Sequence, residues 1–146
     1  MSLNASIMIS MKRSEGNIVI QSGANVWPHE LRTAEAFAIR GHDALFPKKN
    51  NDDYRNSPDV NIFGLVWEIK SPRSPKPDKV LKIVREAIHQ SPNVIYDSQR
   101  IKNLTDIQIE HELRKISPAL KALRNLLFVN RKRHIIVVKQ TDKFDI

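Results

Sequence analysis

The chain has 146 residues and a formal charge of +8, with 24 Lys and Arg against 16 Asp and Glu. This length suits one domain with one core, and a 40% hydrophobic content is too high for wholesale disorder. The sequence has no cysteine, which excludes disulfide frameworks, thiolate zinc sites, iron–sulfur clusters and a cysteine nucleophile. No apolar run approaches the roughly 20 residues that span a bilayer, and no export signal is evident, so we expect a soluble, cytoplasmic chain.

The charge is distributed unevenly along the chain. Residues 1–73 hold 9 basic and 8 acidic side chains, whereas residues 74–146 hold 15 basic and 8 acidic side chains. A basic surface often reflects solubility alone, but a nucleic acid or an acidic protein partner would also fit it. The acidic residues of the near-neutral first half are therefore the less expected feature.

The first half alternates between predicted strands and a helix. Residues 1–16 contain all three methionines without a clear period, and we expect a poorly ordered N-terminal segment, an alternative start or an expression remnant there. A helix is indicated from Trp27 to Arg40, because apolar residues recur at helical spacing, Pro28 suits the first turn and Gly41 suits the end. The other predicted elements of this half are a strand at 17–21, a strand at 42–46 and a polar loop at 47–57.

The second half continues the same alternation. Its predicted elements are a hairpin of 58–62 with 65–70, a loop at 71–77, a helix at 78–90, a strand at 93–96, a helix from Thr105 to Ser117–Pro118, and a terminal hairpin of 126–129 with 135–139. No repeat or linker divides this order. We therefore predict an α/β (α+β) fold in which residues 17–146 form a single domain with a mixed central sheet flanked by helices.

The first hairpin brings two acidic residues together. If Phe63 and Gly64 form the turn, Asp59 lies opposite Glu68, at a separation where like charges destabilise a sheet unless a positive charge compensates them. Alternation along the second strand places Lys70 on the same face as Glu68. Two carboxylates and a lysine can form a site for a hard divalent cation, although an exposed sheet face with a simple lysine–glutamate pair would give the same pattern.

Pro58-Asp59 followed by Glu68-Ile69-Lys70, after a helix that contains a glutamate, resembles the PD-(D/E)xK nuclease superfamily. The predicted order of elements is similar to the core of that family. The resemblance implies that Asp59, Glu68 and the Ile69 backbone carbonyl bind Mg²⁺, with Mn²⁺ or Zn²⁺ as alternatives. It also implies that Lys70 assists the hydrolytic water, and that a helix glutamate completes the site.

Two glutamates of the first predicted helix could take this last position. On a helical wheel Glu30 lies near the apolar stripe, whereas Glu35 lies at its margin, where a solvated glutamate is ordinary. Glu30 also precedes Gly41 by eleven residues, a spacing similar to that of many superfamily members. We expect Glu30 to complete the site, acting on the metal through water, and keep Glu35 as the alternative.

Within the superfamily, the stretch from Ser57 to Asp97 resembles the C-terminal toxin domains of contact-dependent inhibition proteins and related polymorphic toxins. This resemblance implies a tRNA endonuclease that is delivered into the cytoplasm of a target cell and neutralised by a cognate immunity protein. Related modules cut DNA, so a DNA endonuclease is an alternative. A catalytically inactive module that only binds nucleic acid is another.

Several residues are candidates for contacts with the substrate. Basic residues soon after the second hairpin strand would neutralise backbone phosphates, and two lysines before the hairpin are weaker candidates. These are Arg73, Lys76 and Lys79, then Lys48 and Lys49. Ser71 and Gln90 are secondary candidates. The basic turn at 131–134 is more typical of a polar turn, and His29-Glu30 lacks the second histidine of a zinc-protease motif.

Overall fold

The computed structural model describes residues 6–9, 15–49 and 58–146. The described residues form eight strands, three α-helices and one short 3₁₀ turn, Ser117–Ala119. In chain order the strands and helices are β1 (Ser6–Ile9), β2 (Ile18–Gln21), α1 (Pro28–Ala38), β3 (Ala44–Phe46), β4 (Val60–Ile62), β5 (Leu65–Lys70), α2 (Lys79–Ile88), β6 (Asn93–Asp97), α3 (Asp106–Ile116), β7 (Asn125–Val129) and β8 (Ile135–Lys139).

The eight strands lie side by side in the same order as in the sequence. β2 and β3 are parallel, as are β5 with β6 and β6 with β7, while the remaining neighbours are antiparallel. It follows that β2, β3, β5, β6 and β7 all run in one direction. Their C-terminal ends therefore meet at one side of the sheet, here called the carboxyl edge, which is where ligands bind in open α/β sheets.

Helices cover both faces of the sheet. α1 packs its alanines and Phe37 against Trp67, Ile95 and Leu127, whereas α2 and α3 pack against Val94 and Tyr96 on the opposite face. Residues 94 and 95 thus point to different cores, as alternation along a buried strand requires. Each helix connects two parallel strands, so the first turn of each lies near the carboxyl edge.

The turn of the first hairpin has the predicted position and register. Val60 pairs with Trp67 and Ile62 with Leu65, and both turn residues have positive φ, 60° at Phe63 and 73° at Gly64. This backbone matches the twist of a hairpin but is unfavourable for phenylalanine. The Phe63 ring packs against His42 and Phe144, with centroids 4.7 and 4.9 Å away, which offsets this cost.

The predicted α/β fold class is confirmed, and each predicted helix and strand in the described ranges has a counterpart whose ends differ by a few residues. The sequence does not predict β1. Its four residues pair antiparallel with β2 at the sheet border, and three of them are exposed, so they lack the apolar alternation of a half-buried strand. Residues 50–57 of the predicted polar loop lie outside the described residues.

Gly16 permits a close approach between β2, α1 and β3. Its amide donates to the Ala38 carbonyl at 2.8 Å, and a Cβ on Gly16 would lie 2.1 Å from the backbone oxygen of His42. Gly16→Ala should therefore lower the free energy of unfolding by about 1–3 kcal/mol, since backbone must shift. Gly64→Asn is the control, because nothing lies within 4 Å of that Cβ and asparagine tolerates its positive φ. Urea denaturation with equal midpoints for the two variants would contradict this assignment.

Candidate active site at the carboxyl edge

Three carboxylates meet at the carboxyl edge although each is almost removed from water. Glu30 in the first turn of α1 is 6% exposed, Asp59 immediately before β4 is 8% exposed and Glu68 in β5 is 7% exposed. Glu30 and Glu68 each lie within interaction range of the Asp59 side chain. Acidic residues are rarely buried unless they are paired, so this arrangement requires compensation.

Backbone groups hold two of the carboxylates in place. The Asp59 amide donates at 2.9 Å to the carbonyl of Trp67, the residue that pairs with Val60, so the regular pairing ends at Val60 and does not extend to the predicted pair of Asp59 with Glu68. The Ile69 amide then donates to Asp59 Oδ2 at 2.8 Å. Glu30 Oε1 accepts from the Trp27 amide at 2.9 Å and so caps the start of α1. The strand register and the helix cap thus position the acidic group.

Two lysines supply the positive charge that the hairpin register requires. Lys49 Nζ lies 3.4 Å from Asp59 Oδ1, and Lys70 Nζ lies 3.5 Å from Glu68 Oε2. Lys49 is predicted from the sequence as a substrate contact, but the structure places its ammonium against the acidic group. The Lys70 side chain is 29% exposed, so its ammonium touches both Glu68 and solvent.

Burial and mutual repulsion disfavour full ionisation of this group. Burial, and secondly the negative charge of Asp59, raise the pKa of Glu30 to about 7 and the pKa of Glu68 to about 8. Lys49 acts in the opposite direction on Glu30, and Lys70 on Glu68. Near neutral pH Glu30 and Glu68 therefore retain protons that the same residues would lose in water.

A second buried acid lies beside this site. Asp97 at the end of β6 is fully buried, and the two nitrogens Nη1 and Nη2 of Arg133 each lie 2.9 Å from one of its oxygens. Thr33 of α1 donates to Asp97 Oδ2 at 2.6 Å, and Gln99 donates through its amide at 2.8 Å and its side chain at 2.9 Å. These bonds use the Asp97 oxygens to join α1, β6 and the β7–β8 turn, so Asp97 has a structural role.

Asp97 is a residue that sequence patterns miss, although it ends a short buried strand at the carboxyl edge. The turn at 131–134 is more ordered than a solvated polar turn. Besides the pair of Arg133, the Arg131 guanidinium donates to the Ile101 and Leu104 carbonyls and pairs with Asp106 at 3.4 Å. The basic turn therefore joins parts of the fold.

The remaining candidate residues lie in loops or at the start of a helix. Arg73 and Lys76 are exposed in the loop after β5, Lys79 begins α2, and Lys48 is exposed beside Gln21 at the end of β2. Ser71 directly follows Lys70, is 5% exposed and accepts two bonds from Arg100 on its carbonyl oxygen. These five residues all lie on segments that leave the carboxyl edge or enter a helix there.

Two predicted candidates are not brought to the acidic group. Gln90 follows the end of α2 at the opposite side of the sheet, where the neighbouring Ser91 and Asn93 donate to the Val66 carbonyl at 2.8 and 3.1 Å. Glu35 is half-buried further along α1 and lies outside the contacts made by Glu30. Of the two helix glutamates, it is Glu30 that meets Asp59.

Two comparisons relate the chain to known proteins. The family model described as "Contact-dependent growth inhibition CdiA C-terminal domain" matches residues 55–143, more than half of the chain. The chain belongs to this family. Members of the CdiA C-terminal domain family are toxic effectors that are delivered into target cells. The matched segment contains Asp59, Glu68 and Lys70, whereas Glu30 precedes it.

The fold is similar to that of a solved CdiA-CT/CdiI toxin and immunity complex from Burkholderia pseudomallei, with a TM-score of 0.62. The alignment covers 81% of this chain and 96% of the other at 16% identity, so the likeness concerns the fold. No curated protein matches the chain. Within the described ranges, none of the helices has the length and apolarity needed to cross a bilayer.

The raised carboxylate pKa values predict how stability depends on pH. In the folded protein Glu68 has a pKa of about 8 against an ordinary value of 4.5, so between these values the folded state holds a proton that the unfolded state releases. Stability in EDTA should therefore fall as the pH rises from about 5 to about 8. Thermal denaturation should show a smaller fall for Glu68→Gln, by about 3 °C or more.

Glu35→Gln is the matched control for this measurement, because it removes a glutamate outside the acidic group. It should keep the pH dependence of the parent protein. If Glu68→Gln and the parent lost stability in parallel over this pH range, the repulsion assigned to Glu68 would be refuted.

The pair between Asp97 and Arg133 should be important for stability. Arg133→Gln leaves the fully buried Asp97 carboxylate without its cation, and should lower the free energy of unfolding by about 3 kcal/mol or more. Asp97→Asn in addition should restore part of this loss. Arg124→Gln, which breaks the exposed pair with Asp142, should change urea denaturation little. Additive effects of the two substitutions at 97 and 133 would contradict a coupled pair.

Proposed function

We propose that the chain is a metal-dependent endonuclease of the PD-(D/E)xK type that hydrolyses phosphodiester bonds, with tRNA as its substrate. The observation that carries this proposal is the group of buried carboxylates, Glu30, Asp59 and Glu68, beside Lys70 at the carboxyl edge. Membership of a family of toxic effectors supports an activity that damages a target cell. A cluster of buried acids in which two carboxylates have raised pKa values is typical of a catalytic site.

The donor set suits a hard divalent cation. Asp59, Glu68 and the Ile69 carbonyl would hold Mg²⁺, with Mn²⁺ or Zn²⁺ as alternatives, and Glu30 would act through water. Carboxylates that repel one another and retain protons gain stability when a cation replaces those protons. Among the described residues no three acidic or histidine side chains share the geometry of a metal centre. When bound, such a cation would supply Lewis-acid chemistry and would favour deprotonation of a water.

The side chains of this chain have separate tasks in the proposed reaction. Lys70, whose ammonium reaches solvent from its place beside Glu68, orients the attacking water and stabilises negative charge on the phosphate. Asp59 is already oriented by the Ile69 amide, so little reorganisation is needed there. The exposed cations Arg73, Lys76 and Lys48, and the half-buried Lys79, hold neighbouring phosphates.

A cognate immunity protein is a further part of the proposal. The solved structure with a similar fold is described as a toxin and immunity complex. A net charge of +8 favours an acidic partner for the present chain, and the cytoplasm of a target cell is where tRNA would be met. An acidic immunity protein that covered the carboxyl edge would block the proposed substrate path.

Cleavage assays test the proposed reaction. Purified protein should degrade tRNA with Mg²⁺ and should not degrade it in EDTA. Asp59→Asn and Lys70→Met should each reduce the cleavage rate on the order of a hundredfold, because each removes a group that stabilises the transition state. The rates are measured by gel electrophoresis on tRNA, plasmid DNA and single-stranded DNA, with Lys82→Met as the matched control for an exposed lysine.

The substrates and variants separate the alternatives. Degradation of DNA in place of tRNA would identify a DNA endonuclease, and tight binding without cutting would identify an inactive binding module. Cleavage that persisted in EDTA, or in both variants, would refute the proposed site. Glu30→Gln should lower the rate while Glu35→Gln should not, and glutamine at position 30 can still accept the Trp27 amide that caps α1.

A further inference from the structure

A cavity of about 540 Å³ lies beside the C-terminal end of β5, the strand that carries Glu68 and Lys70. It is lined by Arg73, Pro75, Arg100, Lys102 and Asn103, so three of its five lining residues are cations and none is acidic. Arg73 lies three residues after Lys70, and Arg100 lies three residues after Asp97. The cavity is therefore formed by the loops that leave the carboxyl ends of the neighbouring parallel strands β5 and β6.

Arg100 is held in a fixed orientation at the base of these loops. Its Nε and Nη2 both donate to the carbonyl oxygen of Ser71, the residue that follows Lys70. These two bonds use one side of the guanidinium, and its Nη1 group has no partner among the described residues. A planar guanidinium fixed in this way can present its other N–H groups to an anion without further loss of side-chain freedom.

The cations of this cavity differ from four other arginines in the described ranges. Arg114, Arg124, Arg131 and Arg133 each pair with a carboxylate at 2.9 to 3.4 Å. Within the described ranges, Arg73, Arg100 and Lys102 form no ion pair with any acidic side chain. Burial, followed by the positive charges of Arg73 and Arg32, lowers the pKa of Arg100 from its ordinary value, as expected for a cation among cations.

We propose that this cavity binds a backbone phosphate of the nucleic-acid substrate, next to the phosphate that is cut. This assignment rests on the proposed function and adds two residues, Arg100 and Lys102, to the substrate contacts. Arg100 supplies the fixed guanidinium, while Arg73 and Lys102 supply flexible charges on either side. The bonds from Arg100 to the Ser71 carbonyl connect this cavity to the residue that directly follows Lys70.

A phosphate group fits this cavity better than the surface of a protein partner does. The lining offers one proline and otherwise polar or charged groups, whereas the core of a protein interface is depleted of charge and rich in aromatic residues. A concave group of cations with a preoriented arginine matches the two non-bridging oxygens of a backbone phosphate. Its position beside the proposed cleavage site suits a substrate that continues past that site.

The test uses Arg73→Gln/Lys102→Gln, because both side chains are exposed and Arg100 keeps its bond to Ser71. Fluorescence anisotropy measures binding of labelled tRNA in EDTA at several salt concentrations. We expect weaker binding, and a salt dependence of log Kd whose slope falls by about 1 to 2, as for the loss of two phosphate contacts. Arg85→Gln/Lys121→Gln removes the same charge from exposed positions elsewhere and should leave this slope nearly unchanged.

The outcomes separate this inference from the proposed function. Equal affinity and slope for the two double variants would overturn the phosphate site, even if the parent protein cut tRNA. Absence of cutting by the parent, with binding still dependent on the cavity, would overturn the proposed reaction and leave the phosphate site supported. Poly-glutamate is the second probe, and an equal loss of affinity for it would overturn a site for phosphate in favour of a general acidic partner.

Discussion

Repulsion between three carboxylates that are held out of water is the constraint around which the carboxyl edge is organised. Folding removes these groups from solvent, and burial raises the pKa values of Glu30 and Glu68 towards or above neutrality. Two lysines and several backbone amides offset part of the cost. A protein selected for stability alone would replace such residues with apolar ones, so their presence indicates a requirement that stability does not set.

The order of strands explains how residues distant in sequence meet at one place. Because five strands are parallel, the chain returns to the same edge after each of them, and the turns and helix starts at that edge supply the functional groups. Glu30 comes from the helix after β2, Glu68 and Lys70 from β5, and the cationic cavity from the loops after β5 and β6. The proposed substrate contacts and the proposed catalytic groups thus share one scaffold.

Local patterns predict the parts of this arrangement that depend on nearby residues. The turn at Phe63–Gly64 fixes the hairpin register as far as Val60 and Trp67, and the proximity of Asp59 to Glu68 could be predicted from it, although the two residues do not form a regular cross-strand pair. The helical wheel separates Glu30 from Glu35 because only the apolar face of α1 meets the sheet. The roles of these residues in catalysis stay predictions.

Contacts between segments distant in the sequence could not be predicted in this way. Lys49 pairs with Asp59 because β3 ends beside the hairpin, a proximity that no periodicity encodes. Arg100 reaches Ser71 from 29 residues away, and Asp97 meets Arg133 from 36 residues away. The pairing of neighbouring parallel strands sets these distances, and a single sequence contains no signal for which strands are neighbours.

The hydrogen bonds around Asp97 affect the stage of synthesis at which the proposed active site can be completed. Thr33 in the helix that carries Glu30 is joined through Asp97 to Arg133, a hundred positions later. While the polypeptide is still leaving the ribosome, that helix lacks this anchor until residue 133 has been made. Chains that stop before residue 133 therefore lack the link between α1 and the last hairpin. The proposed active site can be complete only after the C-terminal strands have joined the sheet.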